Sequence, residues 1–545
     1  MEHTQFEIQG NIVDVVAGKI FSGTVLVIDG KIAGIRKEQV NSGKFILPGL
    51  VDAHIHIESS MLIPSEFARL AVVHGTVGTV SDPHEIANVL GIPGVKFMIA
   101  NGSKTPFKFV FGAPSCVPAT PFETAGALLD VADVEALLQM PEVRYLSEMM
   151  NFPGVLSGDA NVMAKLEAAR RAGKPVDGHA PGVTGEAAKK YIEAGITTDH
   201  ECYSIDEARE KIGYGMQVLI REGSAAKNFG TLYPLIDEFP DKVMLCSDDK
   251  HPHDLVAGHI NAEVKRAIGA GRDVMNVLRA CTLNPVRHYR LDIGLLQPGD
   301  PADFIVVDDL QSFKVLATYI QGRKVAENGH TLLPSVTEEP FNNFCTGRIG
   351  LSDLLVKPEG DEIKVMKAVD GQLITGITHA QPLVRNGNVV SNIQDDILKI
   401  VVKNRYGDTP ASVGFIANTG LKRGALASCV AHDSHNIVAM GADDESIVEA
   451  INLIIEGKGG ISLADGAEHM FIPLPFAGIM SGADGYEVAA KYVEMDRKAK
   501  EMGTSLSAPY MTLSFMALLV IPEIKLSDKG LFDGNRFRFT PLFGK

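Results

Sequence analysis

Apolar and polar residues alternate in short runs near the start of the chain, between positions 6 and 47. Turns such as "DGK" and "SG" separate these runs, which is typical of an antiparallel β module. The same texture returns between positions 293 and 328. Two separated segments of one kind, with a different pattern between them, predict a small β-sandwich interrupted by an inserted domain.

Between those two segments an apolar strand is followed by a helical stretch, and this unit repeats eight times. The helix "DANVMAKLEAARRAG", for example, begins after a capping Asp159 and ends at Gly173. Successive strand ends lie roughly 20 to 36 residues apart, which leaves room for a crossover helix. The pattern predicts a (β/α)8 TIM-like barrel. An open doubly wound sheet is disfavoured because no Gly-rich phosphate turn follows the first strand. The strand ends are expected near Asp52, Ser81, Phe111, Ser147, Asp177, Asp199, Ile220 and Ser247.

From about position 340 the pattern changes again, and β runs mix with helices such as "DDESIVEAINLIIEG". The predicted fold class is therefore α/β, a (β/α)8 barrel inserted in a small β-sandwich, with a C-terminal α+β domain. The predicted boundaries are 1–47 for the first part of the sandwich, 48–292 for the barrel, 293–335 for the second part of the sandwich and 336–545 for the C-terminal domain.

Composition narrows the function classes. The formal net charge of -16 argues against nucleic acid or an anionic membrane as a partner, because both reward clustered Lys and Arg. Six cysteines without CxxC pairs suit a reducing compartment. The N-terminus lacks the pattern of a signal peptide, and the apolar window "MTLSFMALLVIPEI" is too short to span a bilayer. We expect a cytoplasmic protein that acts on a small molecule.

The predicted strand ends carry side chains that bind metals. His54 and His56 lie two residues apart, so they point to the same side of the first strand. Each such residue alone has an ordinary structural explanation, such as a hydrogen-bonded loop histidine. Together they form a ligand set for two divalent ions, and imidazole with carboxylate suits Zn, Mn or Fe rather than Ca. The other candidates at the strand ends are Asp82, His84, Glu85, Glu148, His179, His200, Glu201, Asp248 and Asp249.

The chain resembles the amidohydrolase superfamily of metal-dependent hydrolases, and within it the bacterial adenine deaminases. The resemblance covers nearly the whole chain and is carried by "DAHIHIESSM", "DPHEIANVLG", "SCVPA", "EMMNFPGV", "DGHAPG", "REGSAA", "CSDDKHP" and "VAHDSHN". It implies two divalent metal ions, with Mn²⁺ as first choice and Fe²⁺ or Zn²⁺ as alternatives. It places His54, His56 and Asp248 on one ion and His179 and His200 on the other, with Glu148 and a hydroxide bridging both.

The resemblance implies hydrolytic deamination of adenine to hypoxanthine and ammonia, a reaction of purine salvage, by a homodimer. Asp248 is the expected general base and later acid. Many superfamily members carry a carboxylated Lys where this chain has Glu148. The adenosine deaminase branch carries a Glu after the strand-five His, which "HAPG" lacks. The donor to ring N1 is therefore open: Glu85, His84, Glu201 or Asp249 could reach it, with Glu85 and Asp249 ranked first. The predicted substrate contacts are His84, Ser115, Glu201, Glu222 and Ser224.

Two other interpretations remain open. The chain could be another deaminase or cyclic amidohydrolase of the same superfamily, or a catalytically inactive scaffold homologue. A deaminase that acts on nucleic acid is disfavoured by the acidic balance and by the lack of an HxE…PCxxC signature. The C-terminal "AHDSHN", with His432, Asp433 and His435, could form a further metal site. We favour a segment that covers the barrel mouth or builds an oligomer interface.

Overall fold

The computed structural model describes residues 5–544. The chain begins with four strands, in which antiparallel pairing joins the first to the second and the second to the third. The fourth strand pairs in parallel with the first. These strands are β1 (Gln5–Asp14), β2 (Lys19–Ile28), β3 (Lys31–Lys37) and β4 (Phe45–Pro48).

The predicted (β/α)8 region contains parallel strands that end within a few residues of the expected positions. In chain order they are β5 (Leu50–His56), β6 (Thr76–Ser81), β7 (Lys108–Ala113), β8 (Val143–Met149), β9 (Val176–Gly178), β10 (Thr198–Asp199), β11 (Gln217–Arg221), β12 (Val243–Cys246) and β13 (Asp248–Asp249). Strands β12 and β13 together form the eighth strand position of the barrel, which is interrupted at Ser247. Both hydrogen-bonded groups of strands, β13-β5-β6-β7-β8-β9 and β10-β11-β12, are parallel throughout.

The barrel closes at both seams between these groups. The Thr197 amide donates to the carbonyl of Val176 at 2.8 Å, next to β9 and β10. On the other side the Ser247 amide donates to the Asp52 carboxylate on β5 at 3.0 Å. The carboxyl ends of all eight barrel strands therefore meet at one rim. Barrel enzymes have their active sites at this rim.

Helices follow the strands, as the sequence pattern predicts. The predicted helix that begins after Asp159 and ends at Gly173 is present, and the Asp159 carboxylate caps it by accepting the amides of Asn161 and Val162. The helices of this region are α1 (Pro64–Ala71), α2 (His84–Leu90), α3 (Ile92–Gly102), α4 (Val131–Leu138), α5 (Phe152–Ser157), α6 (Ala160–Ala172), α7 (Gly185–Glu193), α8 (Ile205–Gly213), α9 (Phe229–Leu232), α10 (Leu235–Glu238), α11 (Pro252–Ala257), α12 (Ile260–Gly269), α13 (Val274–Ala280) and α14 (Leu283–Tyr289).

The second β segment returns to the first one. Strand β14 pairs antiparallel with β4, so residues from both sides of the barrel region share one eight-stranded sheet, in the order β17-β16-β15-β14-β4-β1-β2-β3. The interruption of one β module by the barrel is therefore confirmed as a feature of the fold. The added strands are β14 (Phe304–Val307), β15 (Val315–Ile320), β16 (Arg323–Glu327) and β17 (His330–Thr331).

The C-terminal region builds a second eight-stranded sheet, in the order β19-β18-β23-β22-β25-β24-β26-β27. Helix α15 packs on this sheet, and a three-stranded sheet closes the chain. The strands are β18 (Ile363–Lys367), β19 (Gly376–Ala380), β20 (Val384–Arg385), β21 (Asn388–Val389), β22 (Ile397–Lys403), β23 (Ser412–Ala417), β24 (Ala425–Ser428), β25 (Ile437–Gly441), β26 (Gly460–Asp465), β27 (Glu468–Pro473), β28 (Ile524–Ser527), β29 (Gly530–Asp533) and β30 (Arg538–Phe539). The helices are α15 (Asp444–Gly457), α16 (Gly485–Glu501) and α17 (Pro509–Phe515).

One hydrophobic core runs from the barrel into the C-terminal region, because buried residues such as Ile55 and Met440 belong to the same packed cluster. Burial of this shared apolar surface fixes the C-terminal region on the barrel. Across residues 5–544 no helix has the length and apolar character needed to cross a membrane.

Candidate active site

The first strand of the barrel, β5, carries two histidine side chains of the site. All seven residues of β5 are buried, and the period of two turns His54 and His56 to one side, with their Nε2 atoms 3.3 Å apart. The parallel register with β13 places Asp248 opposite Ile55. The Oδ1 atom of Asp248 consequently lies 3.5 Å from His54 Nε2 and 3.3 Å from His56 Nε2.

Glu148, at the end of β8, connects this trio to a second group. Its Oε1 atom lies 3.3 Å from His56 Nε2. Its Oε2 atom lies 2.7 Å from His179 Nδ1 and 3.3 Å from His200 Nε2. One carboxylate therefore faces imidazoles from both halves of the predicted cluster, and the structure brings all six predicted metal ligands together.

These spacings fit divalent metal ions. Ligand atoms held about 2.1 Å from one ion at tetrahedral angles lie about 3.4 Å apart, which matches the separations of 3.3 to 3.5 Å among His54, His56 and Asp248. The donor set of imidazole nitrogens and carboxylate oxygens is the one that Zn, Mn and Fe accept. Groups of this kind recur around the pocket, among them His54 with Glu148 and His200.

The electrostatics of the cluster also favour cations. Burial alone would raise the pKa of Glu148, but the surrounding imidazoles, His179 first, outweigh it and hold that pKa well below its usual range. Burial lowers the pKa of His200, but the carboxylate of Glu148 outweighs it and raises that pKa to about 9. The anionic oxygens therefore require positive charge close by, which either protons or bound metal ions can supply.

Arg221, at the end of β11, is a buried cation that the sequence prediction did not identify. Its Nη1 atom donates to Asp248 Oδ2 at 2.6 Å, and its Nη2 atom donates to Glu201 Oε2 at 3.0 Å. Burial would raise the pKa of Asp248, but the guanidinium of Arg221 and the nearby imidazoles hold it well below its usual range. Asp248 is therefore kept as a carboxylate in a fixed orientation.

A buried hydrogen-bond network below the site connects the two barrel strands that carry His54, His56 and Asp248. Asp52 accepts hydrogen bonds from the amides of His54, at 3.3 Å, and Ser247, at 3.0 Å. The Nε2 atom of His259 lies 2.8 Å from Asp52 Oδ2, and its Nδ1 atom lies 2.7 Å from the Thr76 hydroxyl. The residues next to His54 and Asp248 are thus tied to one carboxylate.

The first two residues of α2, which follows β6, are His84 and Glu85, and both lie at the same pocket. His84 Nδ1 lies 3.2 Å from Asp82 Oδ2 and 3.6 Å from Glu148 Oε1, while its Nε2 atom lies 3.5 Å from Asp433 Oδ1. His84 is thus close to the ligand cluster on one side and to the C-terminal region on the other. It was predicted as a strand-end candidate and as a substrate contact, and not as one of the six metal ligands.

The C-terminal region reaches into the barrel mouth through the loop between β24 and β25. His432 Nδ1 contacts one carboxylate oxygen of Glu85, and His435 Nε2 contacts the other. This contact agrees with the prediction that the "AHDSHN" segment covers the barrel mouth. Its residues are buried, so they form part of the pocket wall rather than an exposed surface.

A small cavity lies between the ligand cluster and the C-terminal region. Its wall combines titratable side chains from the barrel with apolar side chains, most of them from the C-terminal region. The apolar members are Met150, Leu373, Phe515 and Leu518, and the polar members are His56, His84, Glu85, Glu148, His179, His200, Glu201, Asp248, Asp249, His432 and Asp433. His84, Glu85, Glu201 and Asp249, which are predicted to contact the substrate, all line this cavity.

Three predicted substrate contacts face other partners, and the structure does not bring them to the cavity wall. The Ser115 hydroxyl donates to the backbone carbonyl of Glu148. Glu222 pairs with Arg266 at 2.6 Å, and the Ser224 hydroxyl donates to Asp254 at 2.5 Å. Among the described residues that line the cavity, none of the three is present. Their positions near strand ends were correct, but local hydrogen bonds and ion pairs hold their side chains away from the cavity.

Comparison with known proteins assigns the chain to a family. The amidohydrolase family matches residues 45–325, and the adenine deaminase C-terminal domain matches residues 372–538. An adenine deaminase of Methanosarcina mazei is 53% identical and covers 98% of this chain and 99% of its own length. This chain belongs to the adenine deaminase family. Adenine deaminases of a Sulfurovum species and of Salinibacter ruber are 54% and 53% identical over similar shares of both chains.

Residues of the site fall in both matched ranges of this adenine deaminase family member. The six clustered ligand residues, from His54 to Asp248, fall in the amidohydrolase range. His432 and His435 fall in the range of the adenine deaminase C-terminal domain. The contact of these two histidines with Glu85 therefore joins the two parts of the family's architecture at one pocket.

Proposed function

We propose that the protein hydrolyses adenine at C6 to give hypoxanthine and ammonia, as a step of purine salvage. The observation that carries this proposal is the convergence of six buried ligand residues at the barrel rim, beside a small cavity, in a chain of the adenine deaminase family. Leu373 and Phe515, which line this cavity, offer apolar surface for the faces of a purine ring, and its titratable side chains offer hydrogen-bonding groups for the ring edge.

The ligand cluster would hold two divalent ions, Mn²⁺ as first choice and Fe²⁺ or Zn²⁺ as alternatives. His54, His56 and Asp248 would hold one ion, and His179 and His200 the other, with Glu148 shared. When bound, such ions lower the pKa of water enough to supply hydroxide at neutral pH. The spacings of 3.3 to 3.5 Å in the first trio support this assignment.

Asp248 is the residue that we propose moves protons. Arg221 holds Asp248 in the ionised form, which can accept a proton, and fixes its orientation at the cavity wall. A carboxylate in this place can take a proton from the attacking water and pass it to the departing amine. Ammonia is a poor leaving group from carbon unless it is protonated, so this transfer is needed.

We also propose that the protein acts in the cytoplasm as a homodimer, without a nucleic-acid or membrane partner. The acidic balance of -16 and the six free cysteines support this setting. Light scattering of the purified chain, before and after nuclease treatment, tests the assembly: one species of twice the chain mass is the expected result.

Ammonia release tests the activity directly. The purified protein is stripped of metal, refilled with Mn²⁺, Fe²⁺ or Zn²⁺ in turn, and assayed with adenine and adenosine. We expect activity to return with two ions per chain and to favour adenine strongly. Activity on adenosine alone, or full activity on adenine without metal, would contradict the proposal. Guanine and cyclic amides serve as further substrates, so that a different hydrolase of this superfamily would be detected.

A further inference from the structure

Deamination of a purine requires a proton donor or hydrogen-bond donor at ring N1, because negative charge develops there when oxygen adds to C6. This inference rests on the proposed function. Four barrel residues beside the cavity could reach N1, and two of them already face the ligand cluster or its cation: His84 Nδ1 lies 3.6 Å from the ligand residue Glu148, and Glu201 accepts a hydrogen bond from Arg221. The barrel then leaves Glu85 and Asp249, and the C-terminal region offers His432. The contacts of these three side chains decide between them.

Glu85 is unsuited to donate a proton. Both of its oxygens already contact imidazole nitrogens, those of His432 and His435. Burial would raise its pKa, but these imidazoles hold the pKa of Glu85 well below its usual range. Glu85 is therefore a carboxylate that accepts hydrogen bonds, and its position is fixed by two side chains of the C-terminal region.

Asp249 also has a partner, since the Ser59 hydroxyl donates to its Oδ1 atom. The same Oδ1 atom lies 3.6 Å from His432 Nε2. Burial raises the pKa of Asp249, and the charge on His432 counteracts that rise. Asp249 therefore stands beside the imidazole as a neighbouring acidic group that favours its charged form.

His432 has the geometry of a donor to a bound ligand. The residue is 3% exposed and lines the cavity, and its Nδ1 atom is held by Glu85. Its Nε2 atom has no hydrogen-bond partner among the described residues. A buried donor without a partner costs free energy, so a ligand acceptor in the cavity would remove that cost.

The groups that face His432 keep it protonated. Burial lowers its pKa, but the charges of Glu85 and Asp249 outweigh burial and raise the pKa of His432 to about 9, with Asp433 contributing further. His251 is a nearby imidazole, and burial holds its pKa well below the usual range. The ring of Phe515 packs against His432 with centroids 5.4 Å apart and excludes water from that side. The imidazole is therefore an acid at neutral pH.

We propose that His432, from the C-terminal region, is a catalytic residue that donates its Nε2 proton to ring N1 of the purine, with Glu85 as the positioning residue behind it. As the C6–O bond forms, the electron pair of the C6=N1 bond moves to N1, which takes the proton. The C6–N bond to the amine then breaks as C6=O forms. Ammonia leaves with the second water proton, carried by Asp248, and N1 keeps its proton in hypoxanthine.

His432 is neutral after this step and regains a proton from solvent. The solvent proton replaces the first proton of the attacking water, so the reaction consumes one adenine and one water and gives one hypoxanthine and one ammonia. No oxidant or other reactant is needed. The role of the C-terminal region in this scheme is chemical as well as structural.

Two inhibitors that differ only at the proposed contact provide the test. Purine has a nitrogen at ring position 1, whereas 1-deazapurine has a C–H group there. Their competitive inhibition constants are measured on the metal-loaded protein with adenine as substrate. A hydrogen bond from a charged donor predicts that the wild type binds purine about tenfold or more tightly than 1-deazapurine. In His432→Leu and His432→Ala, which have no side-chain donor, we expect that ratio to fall to within about threefold, and kcat to fall by roughly 10²- to 10⁴-fold.

His435→Gln is the matched control, because His435 touches the other oxygen of Glu85 but is absent from the described cavity wall. This variant should keep the preference for purine. Metal content and circular dichroism of each variant separate the loss of a donor from the loss of ions or of folding. An unchanged purine preference in folded, metal-loaded His432 variants would overturn the proposal.

Glu85→Gln provides a second measurement if the His432 variants do not fold. A neutral amide supports the imidazolium less than a carboxylate does, so the basic limb of the kcat/KM profile against pH should move to lower pH. An unmoved limb would contradict the role of the Glu85–His432 pair. A wild-type protein that is inactive on adenine would refute the proposed function itself, whereas an active wild type with an unmoved limb and an unchanged inhibitor ratio would refute only this inference.

Discussion

Asp248 Oδ2 lies 2.6 Å from Arg221 Nη1, and both side chains are buried at the barrel rim. The other carboxylate oxygen of Asp248 faces His54 and His56. Asp248 thus has one oxygen for the ligand cluster and one for a fixed cation. In the proposed mechanism, this division would let Asp248 contact a metal ion and still keep a set orientation for proton transfer.

The pairing predicts the effect of removing the guanidinium. In Arg221→Met, Asp248 and Glu201 lose their shared partner, so we expect kcat to fall about 10- to 100-fold, the cost of one charge-assisted hydrogen bond, with a smaller change in KM. Arg221→Lys should recover part of the lost activity, because lysine restores the positive charge but cannot donate to both carboxylates with the planar geometry of a guanidinium. Steady-state kinetics and metal analysis measure these effects.

Arg209→Met is the control for that experiment. Arg209 pairs with Glu238 at the surface, where removing an ion pair has little effect. A full kcat in Arg221→Met with both ions bound would show that Asp248 does not depend on this contact.

Much of this site follows from the sequence, because strand ends and side-chain alternation are local properties. His54 and His56 share a face through the period of two, and the eight strand ends were predicted to within a few residues. Sequence reasoning selected Glu222 and overlooked its neighbour Arg221, whose side chain pairs with Asp248. Neighbouring residues of a strand point to opposite faces, so an error of one position selects the wrong side chain.

The role of the C-terminal region could not be predicted in the same way. His432 contacts Glu85 across 347 positions of sequence, and this contact exists only because the C-terminal region packs on the barrel mouth. The sequence indicated a cover over the barrel mouth, but no local pattern relates "AHDSHN" to "DPHE". The domain boundaries at 47, 292 and 335 stay predictions.

Glu148 should be the residue on which the second ion depends. In Glu148→Gln one charge is removed and the amide nitrogen cannot bind a cation, so we expect at most one ion per chain and a loss of kcat of roughly 10²- to 10⁴-fold. Metal analysis of the purified variant and ammonia release measure the two effects. Glu135→Gln, which alters a surface pair with Arg171, is the control. Two tightly bound ions with normal turnover in Glu148→Gln would exclude the shared ligand.

Asp248→Asn should separate chemistry from metal binding. The amide oxygen can still face His54 and His56, but the amide cannot accept a proton as a carboxylate does. We expect both ions to be retained and kcat to fall by roughly 10²- to 10⁴-fold, as for a lost general base. Near-normal turnover with both ions present would remove Asp248 from proton transfer, while loss of an ion would show that its charge is needed for binding.

Because Lys525 is buried, we expect the free energy of unfolding to depend on pH, independently of metal binding. Its ammonium is fully buried and donates to the carbonyls of Leu373, at 2.6 Å, and Phe515, at 2.9 Å, both of which line the cavity. Burial lowers the pKa of Lys525 from 10.5 to about 7. Between pH 7 and 10.5 the unfolded chain therefore binds more protons than the folded chain at this residue. Its destabilising contribution is complete below about pH 7 and disappears as the pH rises towards 10.5.

We therefore expect the free energy of unfolding of the wild type, relative to Lys525→Met, to rise by about 2–4 kcal/mol between pH 7 and pH 10. Thermal and urea unfolding of both proteins at several pH values measure this difference. Lys189→Met, on the exposed face of α7, corrects for the loss of a lysine elsewhere. A constant difference across this range would mean that Lys525 stays charged in the folded protein, held by its two carbonyl partners.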